Sequence, residues 1–234
     1  MKRFYRDVTV DQAGNGFAVL LDGRAIKTAA GLPQTVPSRT LADALASEWD
    51  GQGEELDLAL FRFRDLADYA IDIISSERSA ALDKLLAFIE TDTLCYRADP
   101  EEALFRRQQE VWEPLLTEME AREAIRLDRI SGVMHRPQPP ESLGKIRSTL
   151  AALDDFTLAG LHTVTSLAAS LVIGMSALQE DADPDLLWSA ANLEEFWQAA
   201  LWGQDAEAQA RLAQRRAEFG NGFDFIRLAA SRAG

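Results

Sequence analysis

The first forty residues alternate apolar and polar positions with the period of two that is typical of β-strands. Strands are predicted over 4–10, 17–21 and 24–28. The pair Asp22–Gly23 between the last two predicts a type I′ hairpin, because both central positions of that turn have positive φ. The chain is therefore expected to begin with a small antiparallel β domain at residues 1–37.

From residue 38 onward the apolar positions recur every three or four residues, which predicts helices. Leu41, Leu45 and Trp49 form the first such stripe. A larger, all-helical domain is predicted over 38–234, so the expected fold class is α+β. The remaining helices are predicted over 65–89, capped by Asp65, over 99–115, kinked or divided at Pro114, and over 141–153, 156–178, 183–203 and 205–219.

The charge and the cysteine count narrow the possible partners and compartments. A net charge of −14 opposes binding to nucleic acid and to anionic lipid, so neither is expected as a partner. The low-charge stretch 156–178 is rich in serine and threonine and lacks aromatic or basic flanks, which predicts a buried helix without membrane insertion. Cys95 is the only cysteine and lies in an apolar stretch, which favours a buried thiol. With no signal-like N-terminus, a bacterial cytoplasm, or a processed product, is the simplest setting.

Residues that could perform catalysis are scarce. The sequence has two histidines and no nucleophile elbow, phosphate-binding loop or dinucleotide fingerprint, so we assign no catalytic residue, metal site or cofactor and expect a protein that is not an enzyme. His162 is interpreted as a hydrogen-bonded interior residue. One alternative remains open: Asp65, Asp68 and Asp72 have helical spacing and could hold magnesium in a metal-dependent enzyme, although such aspartates also simply stabilise a helix start.

A predicted helix near the C-terminal end combines two tryptophans, a phenylalanine and paired carboxylates. Glu194, Gln198 and Trp202 share one face of it, because residues four apart lie above one another. Leu193, Trp197 and Ala200 lie on another face, which is expected to enter the core. An aromatic residue beside polar ones is typical of protein-binding hot spots. We therefore predict a partner-binding surface at Glu194, Gln198 and Trp202.

Short motifs in one order along nearly the whole chain resemble one family, the ATP synthase assembly chaperones that hold the alpha subunit of the catalytic head. The motifs are RFYxDV at 3–8, LLDGR at 20–24, EWD at 48–50, DTLCYR at 92–97, LHxxxS at 161–166 and LExxxQxxxWG at 193–203. The resemblance implies a small β domain followed by a helical one and no enzymatic activity. It also implies transient binding of unassembled alpha subunit until the beta subunit displaces the chaperone.

The resemblance also bears on individual residues. The acidic position that the family associates with function maps onto Glu194, with Gln198 and Trp202 in the same motif. Many members carry an isoleucine and then a polar or acidic residue where this chain has Ala199 and Ala200. No coiled-coil seam is present, so a monomer is expected. An interaction module for another client is a third hypothesis.

Overall fold

A computed structural model describes residues 1–132, 135–203 and 205–231. The chain forms two compact units, and the α+β fold class is confirmed. The first unit combines residues 1–78 and 154–160 with the C-terminal segment from 221, and the second combines 79–153 and 161–220. The predicted division at residue 37 stays a prediction, and the last residues of the predicted helical domain lie outside the described ones.

A three-stranded antiparallel sheet opens the first unit, in the order β1-β2-β3. Its strands are β1 (Val8–Ala13), β2 (Gly16–Leu21) and β3 (Arg24–Ala25). Asp22 and Gly23 have φ of 50° and 77°, which confirms the predicted type I′ hairpin. The third strand is shorter than predicted.

The early end of β3 has a local cause in the segment that follows it. Thr28 donates its N–H to the Leu32 carbonyl at 2.8 Å, and Lys27 forms a bridge with Pro33. These contacts turn residues 28–32 back on themselves. Pairing with β2 therefore extends only as far as the Ile26 N–H, which is donated to the Val19 carbonyl at 3.1 Å, and β3 ends at Ala25.

Helix α1 (Arg39–Asp50) follows the sheet, and Leu41, Leu45 and Trp49 are all buried, as their spacing predicted. Ser38 caps it, since its Oγ accepts the Leu41 N–H at 3.0 Å.

The start of helix α2 (Arg62–Tyr69) contradicts the predicted cap at Asp65. The buried carboxylate of Glu48 accepts the N–H groups of Arg62, Phe63 and Arg64 at 2.8–3.0 Å. A helix start leaves these N–H groups without partners of its own. A residue fourteen positions upstream of Arg62 therefore caps the helix, and Asp65 lies in its first turn.

The predicted helix 65–89 is interrupted. A wider π-helical turn over Ala70–Ile74 follows α2, and α3 (Arg78–Glu90) begins after a short break. Elsewhere helices are continuous where a break was expected, although at Pro114 only the predicted division is wrong and the alternative of a kink stays a prediction. Pro114 lies within an undivided helix, and the last helix runs through Gly220 and Gly222.

A glycine in an earlier helix allows close packing against the last helix. A Cβ at Gly160 would lie 3.0 Å from the Gly222 carbonyl oxygen and 2.6 Å from Ile226. The two helices therefore approach each other at glycine, and this contact within the first unit replaces the expected interruption.

The remaining elements include one further correction. The predicted helix 156–178 ends at Ala168, next to Ala169 with φ of 48°, and resumes at Leu171. No helix in the described ranges has both the length and the apolarity needed to cross a membrane. The elements are β4 (Tyr96–Arg97), α4 (Ala103–Glu123), β5 (Ile130–Ser131), α5 (Pro140–Ala151), α6 (Asp155–Ala168), α7 (Leu171–Ser176), α8 (Pro184–Ala191), α9 (Leu193–Trp202) and α10 (Ala206–Ala230).

A buried carboxylate holds the second unit together where α7 begins. Asp92 is fully buried and accepts the N–H groups of Leu94 at 3.0 Å and Val172 at 2.9 Å. Burial raises the pKa of Asp92 to about 6, and its hydrogen bonds only partly oppose this. Thr93 donates its Oγ1 hydrogen to the Ala169 carbonyl at 2.9 Å beside the same break. Contacts distant in sequence thus fix the end of α6.

Candidate partner-binding groove

The region that carries the candidate site consists of the consecutive helices α8 and α9. Asp183 caps α8 as predicted, accepting the N–H groups of Asp185 and Leu186 at 2.8 and 3.2 Å. The predicted single helix 183–203 is divided at Asn192, a buried residue with φ of −108° and ψ of 21°. Its side-chain amide donates to the Trp188 carbonyl at 2.9 Å, which satisfies the end of α8.

An apolar groove of about 470 Å³ opens between α4, α8 and α9. We call it the α9 groove. All its lining residues belong to the second unit, and only an arginine and a serine among them are polar. The lining residues are Arg107, Val111, Leu115, Leu186, Ser189, Ala190, Leu193, Phe196, Trp197 and Ala200.

The buried side of α4 fixes one wall of the groove. Trp112 is fully buried and donates its indole N–H to the Ala190 carbonyl at 2.8 Å, which ties α4 to α8. Val111 and Leu115 have helical spacing and face the open space beside it. The indole hydrogen bond therefore holds the groove's walls at a fixed spacing.

Glu194 lies at the start of α9 and is half-buried. Its Oε1 accepts a hydrogen bond of 2.7 Å from the side-chain amide of Gln108. Gln108 is fully buried, and its Oε1 accepts the Ala98 N–H at 2.8 Å. Glu194 makes no ion pair within the described parts of the chain. The structure therefore orients this carboxylate through a neutral donor and leaves its charge uncompensated.

The other two predicted site residues continue from Glu194 at the helical spacing and are exposed. Gln198 is on the surface, and Trp202 is 78% exposed although it is among the largest apolar side chains. Leu201 beside it is 59% exposed. An exposed tryptophan next to an exposed leucine is an apolar patch of the kind that marks interaction surfaces.

Part of the surface was missed by reasoning from the sequence. Trp197 and Ala200 were expected in the core, yet Trp197 is half-buried, Ala200 is exposed, and both line the groove. Leu186 is 70% exposed and also lines the groove. Its place after the cap of α8, beside a second leucine, was the one sign of this surface in the local sequence. The contribution of α4 had no local signal, since that helix is about 80 residues away in sequence.

The three aspartates of the alternative enzyme hypothesis form hydrogen bonds or an ion pair with other residues of the chain. Asp68 accepts the Ala29 N–H at 3.0 Å, and Asp72 accepts the Thr28 hydroxyl hydrogen at 2.6 Å. Asp65 is paired with Arg64 at 2.5 Å. In the described residues, no group of three or more histidine, cysteine, aspartate or glutamate side chains is placed to hold a metal ion. The structure therefore lends the metal-dependent enzyme no support.

The remaining candidates for chemistry are buried or engaged. Cys95 is fully buried, and burial raises the pKa of its thiol far above the usual range. His162 is half-buried, and burial lowers the pKa of its imidazole. His135 is exposed and shares a hydrogen bond of 3.0 Å with the Tyr96 hydroxyl.

The first half of the chain matches a known protein family. Residues 2–120 match the model of the family described as ATP12 chaperone protein. The chain belongs to the ATP12 chaperone family. This confirms the resemblance to the ATP synthase assembly chaperones that the motifs indicated.

Individual relatives match this chain over most of its length. The crystal structure of Atp12 from Paracoccus denitrificans is 34% identical, with a TM-score of 0.92 over 97% of this chain and 98% of that one. A candidate chaperone from Agrobacterium tumefaciens is 38% identical, with a TM-score of 0.91 over 97% of this chain and 85% of that one. The mitochondrial protein atp12 of Schizosaccharomyces pombe is 26% identical over 88% of this chain and 75% of its own length.

Proposed function

We propose that this ATP12-family chaperone binds the unassembled alpha subunit of the ATP synthase catalytic head, prevents its aggregation and hands it to the beta subunit. We further propose that it acts as a monomer in a bacterial cytoplasm and performs no catalysis. Support for a binding role comes from the α9 groove, an open apolar channel with the uncompensated carboxylate of Glu194 beside it. The family supports the class of function.

The physical logic follows from the state of an orphaned subunit. A ring subunit whose interfaces are unpaired exposes apolar surface and aggregates. The α9 groove offers a matching apolar surface, and Glu194, Gln198 and Trp202 form its proposed neighbouring contact face. Handover then needs only a competing partner that binds the same client surface more favourably.

A light-scattering assay tests this function. Purified alpha subunit is expected to aggregate alone, to stay in solution with the chaperone and to leave it when beta is added, as followed by size-exclusion chromatography. Ala200→Arg places a charge in the groove at an exposed position and should abolish protection. Ala217→Arg, the same change at an exposed position of α10 outside the groove lining, should leave protection unchanged.

Two results would count against the proposal. If wild-type chaperone neither bound alpha nor reduced its scattering, the client would be wrong. If both arginine variants protected alpha equally well, the α9 groove would not be the binding surface, and the family function would stand without it.

A further inference from the structure

A second pocket lies in the first unit and shares no lining residue with the α9 groove. It has a volume of about 550 Å³ and is lined by the N-terminal segment, the hairpin and α1. Phe4, Tyr5, Ile26 and Trp49 supply apolar walls, and Arg24 and Lys27 supply positive charge. We call it the hairpin pocket.

The hairpin pocket lies in a basic region of an acidic protein. Residues 1–37 contain five lysines and arginines against three aspartates, whereas the whole chain has a net charge of −14. The local excess of positive charge is therefore opposite in sign to the charge of the whole. A positively charged region on a negatively charged protein can select a partner by charge.

Carboxylates near the pocket are already engaged inside the protein. Asp22 accepts the N–H groups of Arg6 at 3.0 Å and Asp7 at 2.9 Å, and these bonds lower the pKa of its carboxyl group. Asp50 is paired with Arg3 at 3.5 Å. Arg24 and Lys27 are exposed and form no ion pair within the described part of the chain. Asp22 also lines the pocket and interacts with Arg24, so the lining carries two positive charges against one negative charge and still attracts an anionic group.

The apolar part of the hairpin pocket is fixed in place. The Tyr5 hydroxyl donates to the Trp49 carbonyl at 2.6 Å, and the two rings meet edge to face at 5.6 Å. Phe4 packs its ring against Tyr5 at 5.3 Å yet is 64% exposed. A rigid aromatic floor with one exposed ring is able to receive an apolar side chain.

We propose that the hairpin pocket binds an acidic segment of the client, with an aromatic or aliphatic side chain in the pocket and neighbouring carboxylates paired with Arg24 and Lys27. The proposal deepens the proposed function, since it takes the client as the source of that segment. An acidic protein segment is favoured over an anionic membrane or nucleic acid. Either of those would present extended negative charge to a chain of net charge −14, whereas a segment meets only the pocket.

The test uses the full chain and a double charge reversal, Arg24→Glu with Lys27→Glu. Its control is Lys84→Glu with Arg126→Glu, which makes the same change at two exposed positions of the second unit. We expect the pocket variant to bind alpha subunit at least about tenfold more weakly in titration calorimetry, with a reduced dependence on salt. The control should bind within about twofold of wild type, since exposed charges away from a contact contribute little. Thermal unfolding of both variants checks that the fold is intact.

A second experiment uses short peptides to test the pocket without the client. A fluorescein-labelled peptide of sequence Glu-Asp-Phe-Glu-Asp should bind wild type by fluorescence anisotropy, and Lys-Lys-Phe-Lys-Lys should not. Phe4→Ser, which removes the exposed ring, should also weaken binding of the acidic peptide.

The outcomes separate the two proposals. Acidic-peptide binding that the pocket variant loses supports the pocket even if wild type fails to bind alpha, a failure that would overturn the proposed function alone. If alpha binds and the pocket variant binds it as wild type does, the inference is overturned while the function stands. It is equally overturned if the acidic peptide fails to bind, or if wild type binds phosphatidylserine vesicles in preference to it.

Discussion

Two tryptophan-centred regions of this protein have similar residues and opposite surroundings. In the first unit Trp49 is 8% exposed and packs against Phe61 at a ring distance of 4.5 Å. In the second unit Trp202 is 78% exposed at the end of α9. Burying an aromatic ring stabilises a fold, and leaving one in water does not. The comparison teaches that residue type alone does not decide a tryptophan's role: Trp49 is placed to stabilise the fold, whereas the exposure of Trp202 supports its proposed role in recognition.

Trp49→Ala gives the largest expected effect on this contrast. Removing a buried indole that packs against Tyr5 and Phe61 should lower the free energy of unfolding by about 3–5 kcal/mol. Urea unfolding followed by circular dichroism measures it. Trp202→Ala serves as the matched control and should change stability by no more than about 0.5 kcal/mol. Equal losses in the two variants would contradict the division of roles.

The pH dependence of stability sharpens the comparison next, because the second unit contains the buried Asp92. Its folded pKa, about 6, lies above the ordinary value of 3.8, so the folded state binds the proton more tightly. The stability that it contributes is full below the ordinary pKa and is lost as the pH rises through 6. Over the whole titration, from below about pH 3 to above about pH 7, this loss amounts to roughly 3 kcal/mol, of which about 2 kcal/mol falls between pH 4 and pH 6.

Asp92→Asn should remove this dependence. The variant will be less stable overall, since an amide has only one oxygen to accept from Leu94 and Val172. Its unfolding free energy should nevertheless fall less steeply from pH 4 to pH 6 than that of wild type. Asp181→Asn, at an exposed aspartate, controls for the change in net charge. Identical slopes in wild type and Asp92→Asn would show that Asp92 does not titrate as described.

The elements that could be predicted from sequence are those that local rules decide. The hairpin at Asp22–Gly23 needs only positive φ at two positions, and the stripe on α1 needs only its own spacing. The breaks before α3, at Ala169 and at Asn192 were missed. At Ala169 the reason is visible, because contacts from Asp92 and Thr93, distant in sequence, fix the chain there. Glu48 shows the same limit, since it caps a helix that lies beyond a loop.

The candidate site, too, could be predicted only where a single element decides it. Glu194, Gln198 and Trp202 were predicted as one face, because a single helix carries all three. The α9 groove escaped prediction, since its walls come from α4, α8 and α9, and a groove exists only once these have packed. The hairpin pocket was missed for the same reason, although its basic residues were visible in the sequence.

Trp202→Ala also tests recognition of the client. Its effect on the free energy of binding should exceed its effect on the free energy of unfolding. If this ring anchors the client, its loss should weaken alpha binding by about 1–2 kcal/mol, or roughly tenfold. Titration calorimetry against purified alpha subunit measures the difference. Leu58→Ala, at a residue that is 64% exposed in the first unit and lines neither pocket, should bind as wild type does. Equal weakening by both would mean that exposed apolar area in general, and not the end of α9, attracts the client.

The smallest expected effect separates the charge of Glu194 from its hydrogen bond. Glu194→Gln keeps an oxygen that accepts from the buried amide of Gln108, so stability should change by less than about 1 kcal/mol. Glu194→Lys leaves that amide without an acceptor, so it should lower both stability and binding. Weak alpha binding by the folded Glu194→Gln variant would therefore identify the negative charge as the contact. If Glu194→Gln bound normally and only Glu194→Lys failed, Glu194 would act by holding α9 against Gln108, and the contact would belong to the groove and Trp202.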